Sequence, residues 1–318
     1  METAGGPPAT APRPVERNWP RLDTPNVLWF FGAFATAIAT LAVIDKVPES
    51  SRDVWELIVA IAFYLAYAAA GFGLVRSGAW SVPGGLLFAI AVAIMPAIGY
   101  GVASLAGMFP TDPFFDPLTD ASWSVVVIGL VTMLDALVSF AITRFSFLFF
   151  EFVLATLITA QLFLPIFGSN PSGDARVTTS IVIGGALVVI GLLLDARGRR
   201  RDAFWFHAGG FFGVAVALVY WASGIGGHPE RGWTAMFVAA TVVLLLAALV
   251  RRATWAMYGV FGFYAPLVHW LTNNLSTNSV GYALVLLAIG LGLFVLGAAV
   301  HRSGWFSIGH GSFAVPRD

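Results

Sequence analysis

The chain has 318 residues, of which 58% are hydrophobic and 11% charged, and its mean hydropathy is +0.83. Soluble domains run near 45–50% apolar and about 25% charged, so a soluble enzyme is excluded. A net charge of zero, with no basic patch standing out, excludes a nucleic-acid binder, and the lack of cysteine removes disulfides, thiol nucleophiles and thiolate metal sites.

Residues 1–25 carry Pro7, Pro8, Pro12, Pro14, Pro20 and Pro25. Proline fixes φ and removes a backbone donor, so this stretch predicts a disordered cytoplasmic tail. A signal peptide is not expected there, because no basic start leads directly into an apolar run. Residues 26–300 form one transmembrane helical domain. A spanning helix needs about 20 mostly apolar residues, and ten stretches qualify. In order they are Asn26–Ile44, Val54–Val75, Pro83–Phe109, Ser122–Ile142 and Phe145–Phe167, then Val177–Leu194, Ala203–Gly224, Trp233–Val250, Thr254–Thr272 and Ser279–Val300. Continuous rather than alternating apolar runs exclude a β-barrel. Residues 301–318 read as a short cytoplasmic tail. The expected fold is therefore all-α, a polytopic bundle of about ten helices with both termini cytoplasmic.

That orientation comes from counting bases. All 17 Lys and Arg lie outside the spans, and 13 of them fall on the side of the N-terminus when the loops alternate. Positive loops stay inside, which predicts a multi-pass protein of the bacterial cytoplasmic (inner) membrane. Tryptophans such as Trp29, Trp55, Trp123, Trp205, Trp233 and Trp255 fall near span starts and none is central, as expected of an interfacial aromatic belt. Arg201, Arg252 and Arg302 recur at spacings of 51 and 50. Duplicated hairpins would produce this, but so would topology, since two spans and two turns occupy about 50 residues.

Two acidic residues fall well inside spans, Asp135 and Glu151. Charge at depth is expensive, so such residues face a bundle interior or a cavity. Asp135 lies nine residues before Arg144 and Glu151 seven after it. At 1.5 Å per residue this predicts matching depths of about 10–14 Å on antiparallel neighbours. Ser124, Thr132, Asp135 and Ser139 share one stripe of the fourth span, which suits the wall of a polar crevice. Ala155 and Ile158 share the face of Glu151, and its polar neighbours Thr159 and Gln161 lie to the sides. The functional reading is a proton- or cation-coupled site built on Asp135, Glu151, Thr132 and Ser139. The structural one is carboxylates that hold helices together.

Pro96 and Pro266 are expected to kink or unwind the third and ninth spans, and broken helices line substrate sites in transporters. Gly209 and Gly213 permit close helix packing. Arg197, Arg199, Arg200 and Arg201 form a basic turn that acts as a topology determinant or meets anionic lipid headgroups. The histidines lack metal-ligand spacing, and no nucleophile elbow, phosphate loop or kinase signature occurs. No metal, cofactor or enzymatic activity is expected, and the lipid bilayer is the one firm partner.

The stretches Gly191–Trp205 and Arg144–Glu151, each with arginine leading into an aromatic-led helix, resemble a group of bacterial polytopic membrane proteins of unknown function. The resemblance implies eight to ten spans and no assigned activity. In span number and size the chain also looks like the drug/metabolite transporter superfamily, which implies two inverted five-helix repeats. It departs from that pattern: the eighth span, counterpart of the third with its Pro96, has no Pro or Gly, and Pro266 in the ninth has no proline partner in the fourth. The leading expectation is a proton- or cation-linked small-molecule transporter with a crevice near Asp135 and Glu151. The alternative is a membrane scaffold without transport.

Overall fold

A computed structural model describes residues 24–45, 52–78, 80–108, 116–168, 170–224, 229–250, 252–277 and 279–302. The two terminal tails read from sequence fall outside these residues, apart from Thr24 and Pro25, which open the first helix, and His301 and Arg302, which end the last. The described residues form ten α-helices: α1 Thr24–Asp45, α2 Arg52–Arg76, α3 Ser81–Leu105, α4 Trp123–Thr143 and α5 Leu148–Phe163, then α6 Gly173–Ala196, α7 Arg200–Ala222, α8 Pro229–Val250, α9 Ala253–Asn274 and α10 Val280–Arg302. A short 3₁₀ turn, Leu164–Ile166, extends α5. There is no strand among the described residues.

The ten apolar stretches coincide with the ten helices, because length and hydrophobicity dominate when the solvent is lipid. Eight of them, α1 to α8, are long and apolar enough to cross a membrane. The ten helices match the expected bundle, and eight of them qualify as spans among the described residues. α9 is less apolar, carrying His269, Thr272, Asn273 and Asn274 toward its end, and the described side chains of α10 give an apolar stretch over Val280–Gly292.

Successive helices pack as hairpins: α2 with α3, α4 with α5, α6 with α7, and α8 with α9. Two of these hairpins are close enough for backbones to touch. A Cβ on Gly84 would stand 2.8 Å from the Gly71 carbonyl oxygen, and one on Gly184 would stand 2.6 Å from that of Gly210. Small residues let helices approach where no hydrophobic effect drives them together.

α5 is the seam of the bundle, touching α3, α4, α6 and α7. Its aromatic-rich entrance explains how. Phe145 and Leu148 join a core with Leu86, Phe88 and Ala136 of α3 and α4. Phe145 fits only because residue 85 is glycine, where a Cβ would fall 2.3 Å from its ring. Phe149 and Val153 turn the other way, into a core with Leu187 and Phe206 of α6 and α7. Gly209 and Gly213 are occupied in the same fashion, by Val153 and Leu157 of α5. This glycine face is spent inside the molecule and is not left for a partner.

The arginine-rich turns gather at one end. Arg144 and Arg199 both stand over the ring of Phe140, at 6.0 and 5.8 Å. Arg252, before α9, pairs with Asp195 near the end of α6. At the opposite end, Asn170 N–H donates to the Thr119 carbonyl at 3.0 Å, and Arg176 donates to the Leu118 carbonyl.

Candidate functional site: an apolar cleft holding a carboxylate

Between α1 on one side and α3, α4 and α5 on the other lies a cleft of about 1240 Å³. It runs from Phe147 at the arginine end to Pro117 beyond α3. Its walls are mainly apolar: Phe30, Phe34 and Ile38 from α1, Ala89 and Ala93 from α3, Leu154 and Ile158 from α5. Three α5 residues one turn apart, Glu151, Ala155 and Thr159, form a strip along it. Thr132 of α4 also lines it, with its hydroxyl donated to the Ile128 carbonyl at 2.9 Å.

Two buried polar atoms on this strip have no hydrogen-bond partner among the described residues, Glu151 Oε2 and Thr159 Oγ1. An unsatisfied buried polar group costs about 1–3 kcal/mol, more when charged, so each calls for an explanation. Pro96 adds a third acceptor beside the cleft. Having no N–H, it leaves the Val92 carbonyl without its helical donor, and both residues line the cleft. α3 nevertheless runs unbroken through Pro96, as α9 does through the buried Pro266.

Asp135 is placed differently. It does not line the cleft. The hydroxyl of Tyr64, on α2, donates to Asp135 Oδ1 at 2.8 Å, and Oδ2 is buried without a hydrogen-bond partner among the described residues. Glu151 lies within electrostatic range of Asp135, but the two do not share one cavity wall. Their depths differ as well. Residues 144–147 are used by the turn, so Glu151 stands in the first turn of α5, shallower than counting from Arg144 predicts. There the positive end of the helix favours a carboxylate. Ser139 is buried on α4, away from the cleft lining. The cleft is mostly apolar with one carboxylate, Glu151, on its wall, while Asp135 of α4 meets Tyr64 of α2.

Sequence reasoning missed a second polar centre at the arginine end. His207 of α7 is fully buried. Trp255 Nε1–H donates to His207 Nδ1 at 3.3 Å. An indole can only donate, so Nδ1 accepts, and the Nε2–H is the donor to Asp195 Oδ2 at 2.9 Å. Arg252 closes the network with Nε donating to the same oxygen at 3.0 Å. His207 is therefore not a lone histidine but the middle of a bridge across α6, α7 and α9. Gly191 makes the room, since a Cβ there would fall 2.8 Å from the imidazole. Asp202 is buried as well, holding Ser146 at 2.7 Å and Arg199 at 2.8 Å. Acids within an arginine-rich turn were the available signal, since buried acids there need cationic partners.

Arg199, Arg200 and Arg201 line a second, smaller pocket at this end together with Arg144, while Arg197 stands outside it, exposed. Among the described residues, no group of three or more metal-ligating side chains comes together. No protein-family model, curated protein or solved structure matches this chain.

Proposed function

We propose that this multi-pass membrane protein is a carrier of the bacterial cytoplasmic membrane that moves a small, largely apolar organic cation through the cleft between α1 and α3–α5. Glu151 is its charge-bearing group, holding either a proton or the cation, and exchange between the two couples the fluxes. One observation carries this reading. Glu151 lines the cleft, and its Oε2 is buried with no hydrogen-bond partner among the described residues, in surroundings that favour an apolar solute. Intramembrane ionisable groups of this kind mark ion and substrate pathways. The walls select for lipophilicity, and a single carboxylate selects for one positive charge.

The test uses proteoliposomes with an imposed pH gradient and an internal pH-sensitive dye. Adding a quaternary cation such as tetraphenylphosphonium is expected to dissipate the gradient in wild-type vesicles and not in Glu151→Gln vesicles. Wild-type vesicles that behave like empty liposomes, or a Glu151→Gln protein that behaves like wild type, would overturn the proposal.

A further inference from the structure

Independently of the cleft, we infer that the pocket between the α4–α5 and α6–α7 turns binds a phosphomonoester, presented by a lipid headgroup or by a free phosphorylated metabolite. The pocket has a volume of about 460 Å³ and is lined by Arg144, Arg199, Arg200, Arg201, Ser146 and Asp202, among others. A preference for positive charge on one side of the membrane puts arginines in turns. It does not require two turns more than 50 residues apart to converge on one cavity.

The charge balance favours a dianion. Asp202 offsets Arg199 and also accepts from Ser146. Neither Arg144 nor Arg200 has a carboxylate partner among the described residues. Phe140 carries the guanidinium group of Arg144 on its ring, so this arginine is positioned without being neutralised. The pocket also borders the start of α7, whose N-cap Arg199 offers no side-chain cap to the first-turn N–H groups. Such a helix start adds further donors for an anion. A phosphomonoester brings about two negative charges and three acceptor oxygens, which matches planar guanidinium forks better than a carboxylate or a phosphodiester does.

The backbone supplies a separate argument. Arg144 ends α4 in the left-handed region, at φ 55. Glycine is the usual residue at such a cap, because a Cβ strains the left-handed backbone. The chain keeps an arginine at a position where its backbone would be more stable without a side chain. Strain retained in this way concentrates at functional sites.

The measurement is calorimetric titration of the full chain in phosphatidylcholine nanodiscs, with dioctanoyl phosphatidic acid, glycerol 3-phosphate and dioctanoyl phosphatidylcholine as probes. One or both phosphomonoesters are expected to bind and the phosphatidylcholine is not. Binding of phosphatidic acid alone assigns the site to a lipid headgroup, and binding of glycerol 3-phosphate assigns it to a soluble phosphate. Arg200→Gln should weaken binding by about tenfold, the loss of one charged hydrogen-bonding group. Arg144→Gly should weaken it similarly while unfolding no earlier than wild type, because glycine relieves the backbone. That pairing separates lost binding from lost folding. Absence of phosphomonoester binding above the phosphatidylcholine control, or unchanged affinity in both variants, overturns the inference.

Discussion

Asp135 and Glu151 show how neighbouring residues of one type acquire different work. Both are carboxylates on adjoining helices, yet only Asp135 has a hydrogen-bond donor from another helix, Tyr64. Glu151 leaves an oxygen unpaired on a cleft wall. Tyr64→Phe is therefore expected to destabilise the protein by about 1 kcal/mol, the range of interhelical hydrogen bonds in membranes, read as an earlier midpoint in SDS unfolding. The same change in an Asp135→Asn background should cost less, and equal costs in the two backgrounds would deny the bond. Sequence made both carboxylates visible, since ionisable residues inside apolar runs are rare. The donor to Asp135 was not visible, because Tyr64 lies 71 residues away and a tyrosine in a span is unremarkable. Asp195 and Asp202 escaped for the opposite reason. They sit at helix ends beside arginines, where an acid reads as a solvated loop charge, and only tertiary packing buries Asp202 and half-buries Asp195.

At the level of the element, glycine decides which helices may touch. Gly210 meets Gly184 backbone to backbone, whereas a Cβ on Gly185, one residue further along α6, would meet nothing within 4 Å. Gly210→Ala should therefore disrupt the α6–α7 hairpin, lowering the yield of folded protein and its unfolding midpoint by several kcal/mol equivalents, about the upper range of overpacking and strain effects. Gly185→Ala is expected to be neutral, or slightly stabilising through helix propensity. Equal behaviour of the two variants in size-exclusion yield and SDS unfolding would contradict the close approach. Helix positions were legible because a span has to be long and apolar. The cleft was not legible, because which faces pair depends on side-chain volumes across helices. Gly85, Gly209 and Gly213 are uninformative until the rings and branched chains that fill them are known.

For the whole molecule, the arginine end works as a clasp. Asp195 receives His207 and Arg252, so α6, α7 and the entry to α9 are tied at one carboxylate. Removing one member of a largely buried ion pair leaves the other uncompensated, at about 3 kcal/mol. Arg252→Gln should accordingly loosen α9 from α7, seen as faster amide exchange over α9 with little change in α2–α3. Uniform destabilisation of all helices would show instead that the bundle unfolds as one unit.

The cleft has one thinly attached wall. α1 packs on α3 and, to a lesser extent, α2, and it meets the α4–α5 turn through the edge-on contact of Phe30 with Phe147, whose rings lie 5.4 Å apart. That aromatic pair closes the arginine end of the cleft. The hydroxyls of Thr40 and Tyr67, 2.8 Å apart, tie α1 to α2 nearer its other end, so α1 is the wall expected to move at the arginine end if the cleft carries a solute. The chain contains no cysteine, so a cysteine pair placed at residues 30 and 147 is the only thiol chemistry present. Bridging it with a short bis-maleimide should arrest flux, and a long flexible bridge should spare it. Arrest by both lengths, or by neither, would mean that α1 stays still and that solute enters past a different helix.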